Sequence, residues 1–155
     1  MSQLEQSNAP RENAMSGFIR GAGTILAISY PVLALSTGVR AVYQGFFKDD
    51  VTNYVGVALS GIAALCYLIA TIGFAYRRKW AWQLSVAVLV FETVMTFIVG
   101  GLSLMPAYAE AIGGTVWRNF GADYGYFPLI QPLLGLLWLF RPQTLLAYGL
   151  RRSKA

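Results

Sequence analysis

The chain contains no histidine, and its only cysteine is Cys66. Imidazole general bases, bis-histidine haem ligation, Cys/His zinc sites, iron–sulfur clusters and intramolecular disulfides all need residues that this sequence does not supply. Cys66 lies among aliphatic residues, where a thiol packs as a small apolar group. The sequence therefore predicts no metal site, no cofactor and no enzymatic activity, with a membrane enzyme as the minor alternative, because no nucleophile–base pair is visible.

Charge is also scarce, since 12% of the residues are charged and 56% are hydrophobic. A soluble domain has about 25% charged and 45–50% apolar residues. The uncharged stretches are 21–39, 51–76, 80–109 broken only by Glu92, and 124–140. Because about 20 apolar residues cross a bilayer as a helix, these stretches predict an all-α integral membrane bundle of four transmembrane helices.

The predicted spans are about 17–43, 53–76, 80–101 and 120–140, within a transmembrane domain of residues 17–140. A polar N-terminal tail, 1–16, precedes the domain, an aromatic and glycine-rich loop covers 102–123, and a basic tail covers 141–155. The fourth span is short if its helix begins at Pro128. The polar residues that precede Pro128 must then be buried within the protein, or the helix must be tilted and joined to a non-helical lead-in.

Lysine and arginine are distributed unevenly between the two ends of such a bundle. One end holds nine of the twelve: Arg11, Arg20, Arg77, Arg78, Lys79, Arg141, Arg151, Arg152 and Lys154. The positive-inside rule then predicts that both termini are cytoplasmic in a bacterial inner (plasma) membrane. The residues expected to bind anionic headgroups are Arg77, Arg78, Lys79, Arg141, Arg151 and Arg152. The basic charge is explained by the bilayer, and nucleic acid is not a predicted partner.

Glu92 is the one charged residue inside the third span, close to its midpoint. Helical spacing places Ser85 and Thr96 on the same face, with Val99 and Ser103 nearby. Three roles compete for Glu92: a neutral carboxyl that bonds a neighbouring helix, a salt-bridged carboxylate, and a group that handles protons or cations. The first is preferred, because the spans contain no second carboxylate and Arg40 lies near the end of the first span.

Two further groups of residues are candidate contact sites. Gly56, Ser60 and Ala64 form a small-residue stripe on the second span, suited to packing inside the bundle or to docking another subunit. The loop carries aromatic residues that fit either an interfacial belt or a surface that caps a partner or ligand. These aromatic residues are Tyr108, Trp117, Phe120, Tyr124 and Tyr126.

The four-span layout and the segment LALSTGVRAVYQ, residues 33–44, resemble small four-helix bacterial membrane proteins of the DoxX-like type. The ending RPQTLLAYG, residues 141–149, is similar to that of actinobacterial membrane proteins. Small four-helix proteins of this kind also occur as accessory subunits of respiratory cytochrome assemblies. The resemblance implies a non-catalytic accessory subunit of a larger membrane complex, with other membrane subunits as partners and a respiratory-chain supercomplex as the candidate. The alternative is a small transporter or proton-coupled protein that uses Glu92.

Overall fold

A computed structural model of the protein describes residues 3–51 and 53–151, and the side chains from Arg20 onward within those ranges. The described part of the chain is all-helical. Its α-helices are α1 (Gln3–Phe46), α2 (Tyr54–Ala75), α3 (Lys79–Ser103), α4 (Pro106–Ile112), α5 (Phe127–Leu139) and α6 (Pro142–Ala147). Helix α1 extends through most of the predicted polar tail, 1–16. The headgroup contact predicted for Arg152 lies outside the described residues.

Three helical segments are long and apolar enough to cross a membrane: Arg20–Phe46 with 27 residues, Tyr54–Ala75 with 22 and Lys79–Ser103 with 25. At 1.5 Å per residue they are about 33–40 Å long, sufficient for a hydrocarbon core of about 30 Å. The coarse prediction of an all-helical, membrane-embedded protein is therefore confirmed.

The fourth predicted span, 120–140, is not a continuous helix. Helix α5 begins only at Phe127 and has 13 residues, about 20 Å of helix. Before it, Asn119, Phe120 and Gly121 have left-handed backbone conformations with φ of 48°, 59° and 82°, and Tyr126 follows with φ of 61°. These positive φ values interrupt the helix. The fourth segment is thus a short helix preceded by a non-helical lead-in, which we define as residues 118–126.

The lead-in packs along the last turns of α3. The backbone N–H of Asn119 donates to Ser103 Oγ at 2.8 Å, and Thr96 Oγ1 lies 3.2 Å from the carbonyl oxygen of Pro128. Thr96 precedes Ser103 by seven residues, or about 10 Å along the helix. Non-helical backbone at this depth is tolerated where protein covers it, and α3 provides that cover.

Gly100 makes this packing possible. A Cβ atom at Gly100 would lie 2.6 Å from Phe120 Cδ1 and 2.9 Å from the Phe120 backbone nitrogen. The glycine therefore lets the lead-in approach α3 backbone to backbone.

The opposite end of the bundle is closed by α6. Tyr148, just after α6, donates a hydrogen bond to the carbonyl oxygen of Gly73 at 3.1 Å, and Trp82 Nε1 donates to that of Leu139 at 3.0 Å. Burial raises the pKa of Tyr148 to about 12, while nearby Arg77 opposes the rise. Tyr148 is therefore a neutral donor at ordinary pH. We call this the basic end, because Arg20, Arg77 and Arg141 lie there.

Candidate functional site

The polar stripe predicted on α3 faces the interior of the bundle. Ser85, Glu92, Thr96 and Ser103 are all buried, and so is Val99. Their shared face follows from helical periodicity, and the apolar faces on either side of it are the ones left exposed, at residues such as Phe91 and Val94.

Glu92 is 1% exposed, on a helix that packs against α2 and α5. The hydroxyl of Tyr30, on α1, donates to Glu92 Oε2 over a long distance of 3.4 Å. The other carboxyl oxygen, Oε1, has no hydrogen-bond partner. Because a buried polar atom without a partner costs about 1–3 kcal/mol, the carboxyl is only partly satisfied by its neighbours.

Two more buried side chains, on the helices that pack around α3, are also incompletely bonded. Gln131, on α5, donates from Nε2 to Ser29 Oγ at 2.8 Å, but its own Oε1 has no partner. Tyr67, on α2, is fully buried with an unpaired hydroxyl, and it interacts electrostatically with Glu92. The ring of Tyr67 packs edge-on against that of Tyr30 with centroids 5.9 Å apart.

Four helices thus contribute to one buried polar cluster. Its members are Ser29, Tyr30, Tyr67, Glu92, Thr96 and Gln131. Sequence reasoning identified Glu92 and Thr96 but missed the others. The sequence could have predicted a buried polar role for Gln131, because it is the only amide in the fourth uncharged stretch.

The salt-bridge role considered for Glu92 has no support within the described residues. Arg40 Nη1 instead donates to the hydroxyl of Tyr124, in the lead-in, at 2.7 Å. Tyr124 in turn interacts electrostatically with Tyr67. Arg40 is therefore engaged by the lead-in and does not form a hydrogen bond or an ion pair with Glu92.

The small-residue stripe on α2 packs inside the protein. A Cβ atom at Gly56 would lie 2.8 Å from the carbonyl oxygen of Ile112 and 3.1 Å from Gly114 N, so this glycine accommodates the connection after α4. Ser60 is 2% exposed, and the Ala64 Cβ lies 3.7 Å from where a Cβ would stand on Gly38 of α1. Of the two hypotheses for this stripe, the contacts are those of internal packing.

The predicted aromatic surface is smaller than the sequence suggested. Trp117 is fully buried, Phe120 packs on Gly100, and Tyr124 is occupied by Arg40. Tyr108 and Tyr126 remain half-exposed. The chain folds back on itself after α4, which turns three of the five rings towards protein and leaves two for the membrane interface.

Of the residues predicted to bind headgroups, Arg77, Arg78, Lys79 and Arg151 are exposed and Arg141 is partly buried; headgroup binding stays a prediction. Among the described residues, no group of three or more histidine, cysteine, aspartate or glutamate side chains could hold a metal ion.

Comparisons with known protein families, with curated proteins and with solved structures show no match to this chain. The class defined by the fold and site is an all-helical, membrane-embedded protein with a buried carboxyl. The DoxX-like resemblance stays a prediction.

Proposed function

We propose that this protein is a non-catalytic accessory subunit of a larger membrane complex, held by a transmembrane helix of another subunit that packs into a groove between α1 and α2. A respiratory-chain assembly is the candidate complex. The proposal rests on the shape and composition of that groove.

The groove has a volume of about 620 Å³ and opens towards the membrane. Small residues from both helices line it: Ala34, Gly38 and Ala41 from α1, and Gly61 and Ala64 from α2. Larger residues, Leu35, Val42, Leu65 and Leu68, form its sides. The groove is therefore apolar and rich in small residues.

This composition favours a helix as the occupant. Lipid tails are as apolar as leucine, so helices associate in a membrane mainly through close packing over small residues. Ala34, Gly38 and Ala41 recur at spacings of four and three, and Gly61, Ala64 and Leu68 at spacings of three and four, over about two turns of each helix. These residues lie along one face of each helix. A side-chain ridge of a third helix can therefore pack into the groove between the two faces.

We further propose four membrane crossings, with both termini on the cytoplasmic side of a bacterial inner membrane. The lead-in and α5 together would form the fourth crossing, because the lead-in continues α5 along α3. The basic end then lies in the cytoplasm, which agrees with the positive-inside rule.

Filling the groove is expected to release the partner. Nothing lies within 4 Å of a Cβ atom placed at Gly61, so leucine there enters the groove without disturbing the fold. A Gly61→Leu variant should be monodisperse in mild detergent, yet should lose the subunits that co-purify with the wild type. The measurement is mass spectrometry of the affinity-purified complex, with its size checked on native gels.

Gly101→Leu is the matched control. Gly101 lies on α3, outside the groove, and also has nothing within 4 Å of a built Cβ. The control should retain the complex. A wild-type protein that purifies alone, or equal losses in both variants, would argue against the proposal; a homo-oligomer would identify a second copy as the occupant instead.

A second candidate function, proton-coupled transport, is favoured by the buried polar cluster. Glu92 Oε1, Tyr67 OH and Gln131 Oε1 are buried and unpaired, and the hydroxyl of Tyr30 lies 3.4 Å from Glu92 Oε2. A proton relay needs such neighbouring exchangeable groups around an intramembrane carboxyl.

On this second candidate, Glu92→Gln should abolish proton movement while the fold persists, because the amide keeps the shape of the carboxyl but cannot release a proton. The measurement is proton flux into dye-loaded proteoliposomes after a pH step. If wild type and variant conduct equally, or if neither exceeds empty liposomes, the candidate is wrong; the accessory role predicts that the variant still assembles.

A further inference from the structure

A second cleft, of about 490 Å³, opens at the basic end between α1, the end of α2 and the α5–α6 region. Arg20 from α1 and Arg77 from the residues after α2 both line it. These two residues lie at the ends of apolar spans, which is the level of lipid headgroups. Two arginines, one on α1 and one in the turn between α2 and α3, thus line one cavity.

Among the described residues, no acidic side chain balances the charge of this cleft. The residues that line it include no acidic side chain. Within the described part of the chain, neither Arg20 nor Arg77 forms an ion pair, although Arg77 interacts electrostatically with Tyr148. Gln143 and Thr144 add an amide and a hydroxyl at the same rim. The cleft therefore presents hydrogen-bond donors and positive charge together.

The walls of the cleft are held by packing. A Cβ atom at Gly23 would lie 3.0 Å from Trp138 Nε1, so α1 lies directly against the indole. The Trp138 ring also contacts Phe74 and Tyr148, with centroids 5.8 and 6.5 Å apart. Tyr148 is itself anchored to Gly73. The cavity is thus a built feature of the fold.

The cleft continues from the charged rim towards the middle of the membrane. Ala27 and Ile28 of α1 and Phe74 of α2 line this inner part. Ile28 is eight residues from Arg20, which corresponds to about 12 Å along the helix. A phosphate group at the rim would leave an attached hydrocarbon chain beside these apolar residues.

We propose that this cleft binds the phosphate of an anionic phospholipid, with Arg20 and Arg77 at the phosphate and an acyl chain along Ala27 and Ile28. Guanidinium groups match phosphate geometry through paired charge-assisted hydrogen bonds. Basic pockets between transmembrane helices bind anionic lipid headgroups in this way. The apolar extension selects a lipid over free phosphate, and the proposal does not depend on the accessory role.

The test is native mass spectrometry of delipidated protein in detergent, titrated with phosphatidylglycerol. Arg20→Gln/Arg77→Gln should weaken binding on the order of 30-fold, since each arginine near an anionic lipid contributes about a fivefold factor. Lys48→Gln/Arg118→Gln removes the same charge from exposed residues at the opposite end of the bundle, which do not line the cleft. This control should bind like the wild type. Equal weakening in both variants, or none in the first, would overturn the site.

Two further measurements distinguish a lipid from free phosphate and replace the arginine variant if it misfolds. An excess of inorganic phosphate should not displace the lipid, and efficient displacement would assign the site to free phosphate instead. If the arginine variant does not elute as a single species, Ala27→Phe replaces it, because this change fills the apolar part and retains both arginines. Ala27→Phe should lose phosphatidylglycerol, whereas Ala87→Phe on the exposed face of α3 should not; equal binding by both would refute the proposal.

Discussion

Replacing Glu92 with lysine is expected to prevent accumulation of folded protein. The position is 1% exposed, near the middle of a membrane-spanning helix, and its closest polar neighbour is the hydroxyl of Tyr30. A lysine at the centre of a helix disfavours membrane insertion by about 2.5–3.5 kcal/mol. The ammonium would also find no carboxylate in the buried polar cluster to pair with, and the longer side chain would displace Tyr30 or Tyr67.

The matched variant, Glu92→Gln, should fold normally. Its amide retains an acceptor for Tyr30 and gains a donor in a cluster where Gln131 Oε1 and Tyr67 OH lack partners. An interhelical hydrogen bond of this type contributes about 0.6–2 kcal/mol, so any change in stability should be small. Fluorescence-detected size-exclusion chromatography of both variants makes the comparison. A folded lysine variant would mean that Glu92 is accessible to water or to a carboxylate from another subunit.

The second large effect is expected from Gly100→Val, which should reduce the free energy of unfolding by about 3 kcal/mol or more. Overpacking typically costs 1–3 kcal/mol, and here the obstruction includes the Phe120 backbone, 2.9 Å from the built Cβ, which cannot rotate away. The lead-in would have to leave α3. That movement would break the hydrogen bond between Asn119 and Ser103 and remove the protein cover from the non-helical backbone of the lead-in.

Gly101→Val provides the adjacent control. It makes the same chemical change one residue later, where a Cβ meets nothing within 4 Å. Its effect should remain within about 0.5 kcal/mol, as for substitutions away from special features. Reversible unfolding in mixed micelles, followed by tryptophan fluorescence, reports both, because Trp117 is buried beside the lead-in. Equal destabilisation would show that the contact with Phe120 is not what requires glycine.

The interior face of α3 could be predicted from spacing alone. Ser85, Glu92 and Thr96 repeat with the period of a helix, and a polar stripe in an apolar helix turns inward because lipid cannot solvate it. The partners of Glu92 could not be predicted in this way. Tyr30, Tyr67 and Gln131 come from three other helices, and their meeting depends on how those helices rotate and cross.

In the fourth predicted span, too, the sequence predicted the type of structure but not the contacts that position it. Its apolar content and two prolines, Pro128 and Pro132, indicated a short helix with an irregular entry. Where that entry runs was decided by a tertiary contact, since the left-handed turns at Asn119–Gly121 are held by Gly100 and Ser103 of α3. The same fold-back buried Trp117, which sequence reasoning had assigned to an exposed aromatic surface.

By itself, the sequence determined the all-helical class, the three long apolar helices and the inward orientation of Glu92, because these follow from hydropathy and helical period along one chain. Only the tertiary structure decided the remaining features: the buried polar cluster, the small-residue groove between α1 and α2, and the arginine-lined cleft at the basic end. Each of these joins residues from helices far apart in sequence. Their relative placement is set by side-chain packing between helices, which no periodicity within a single helix encodes.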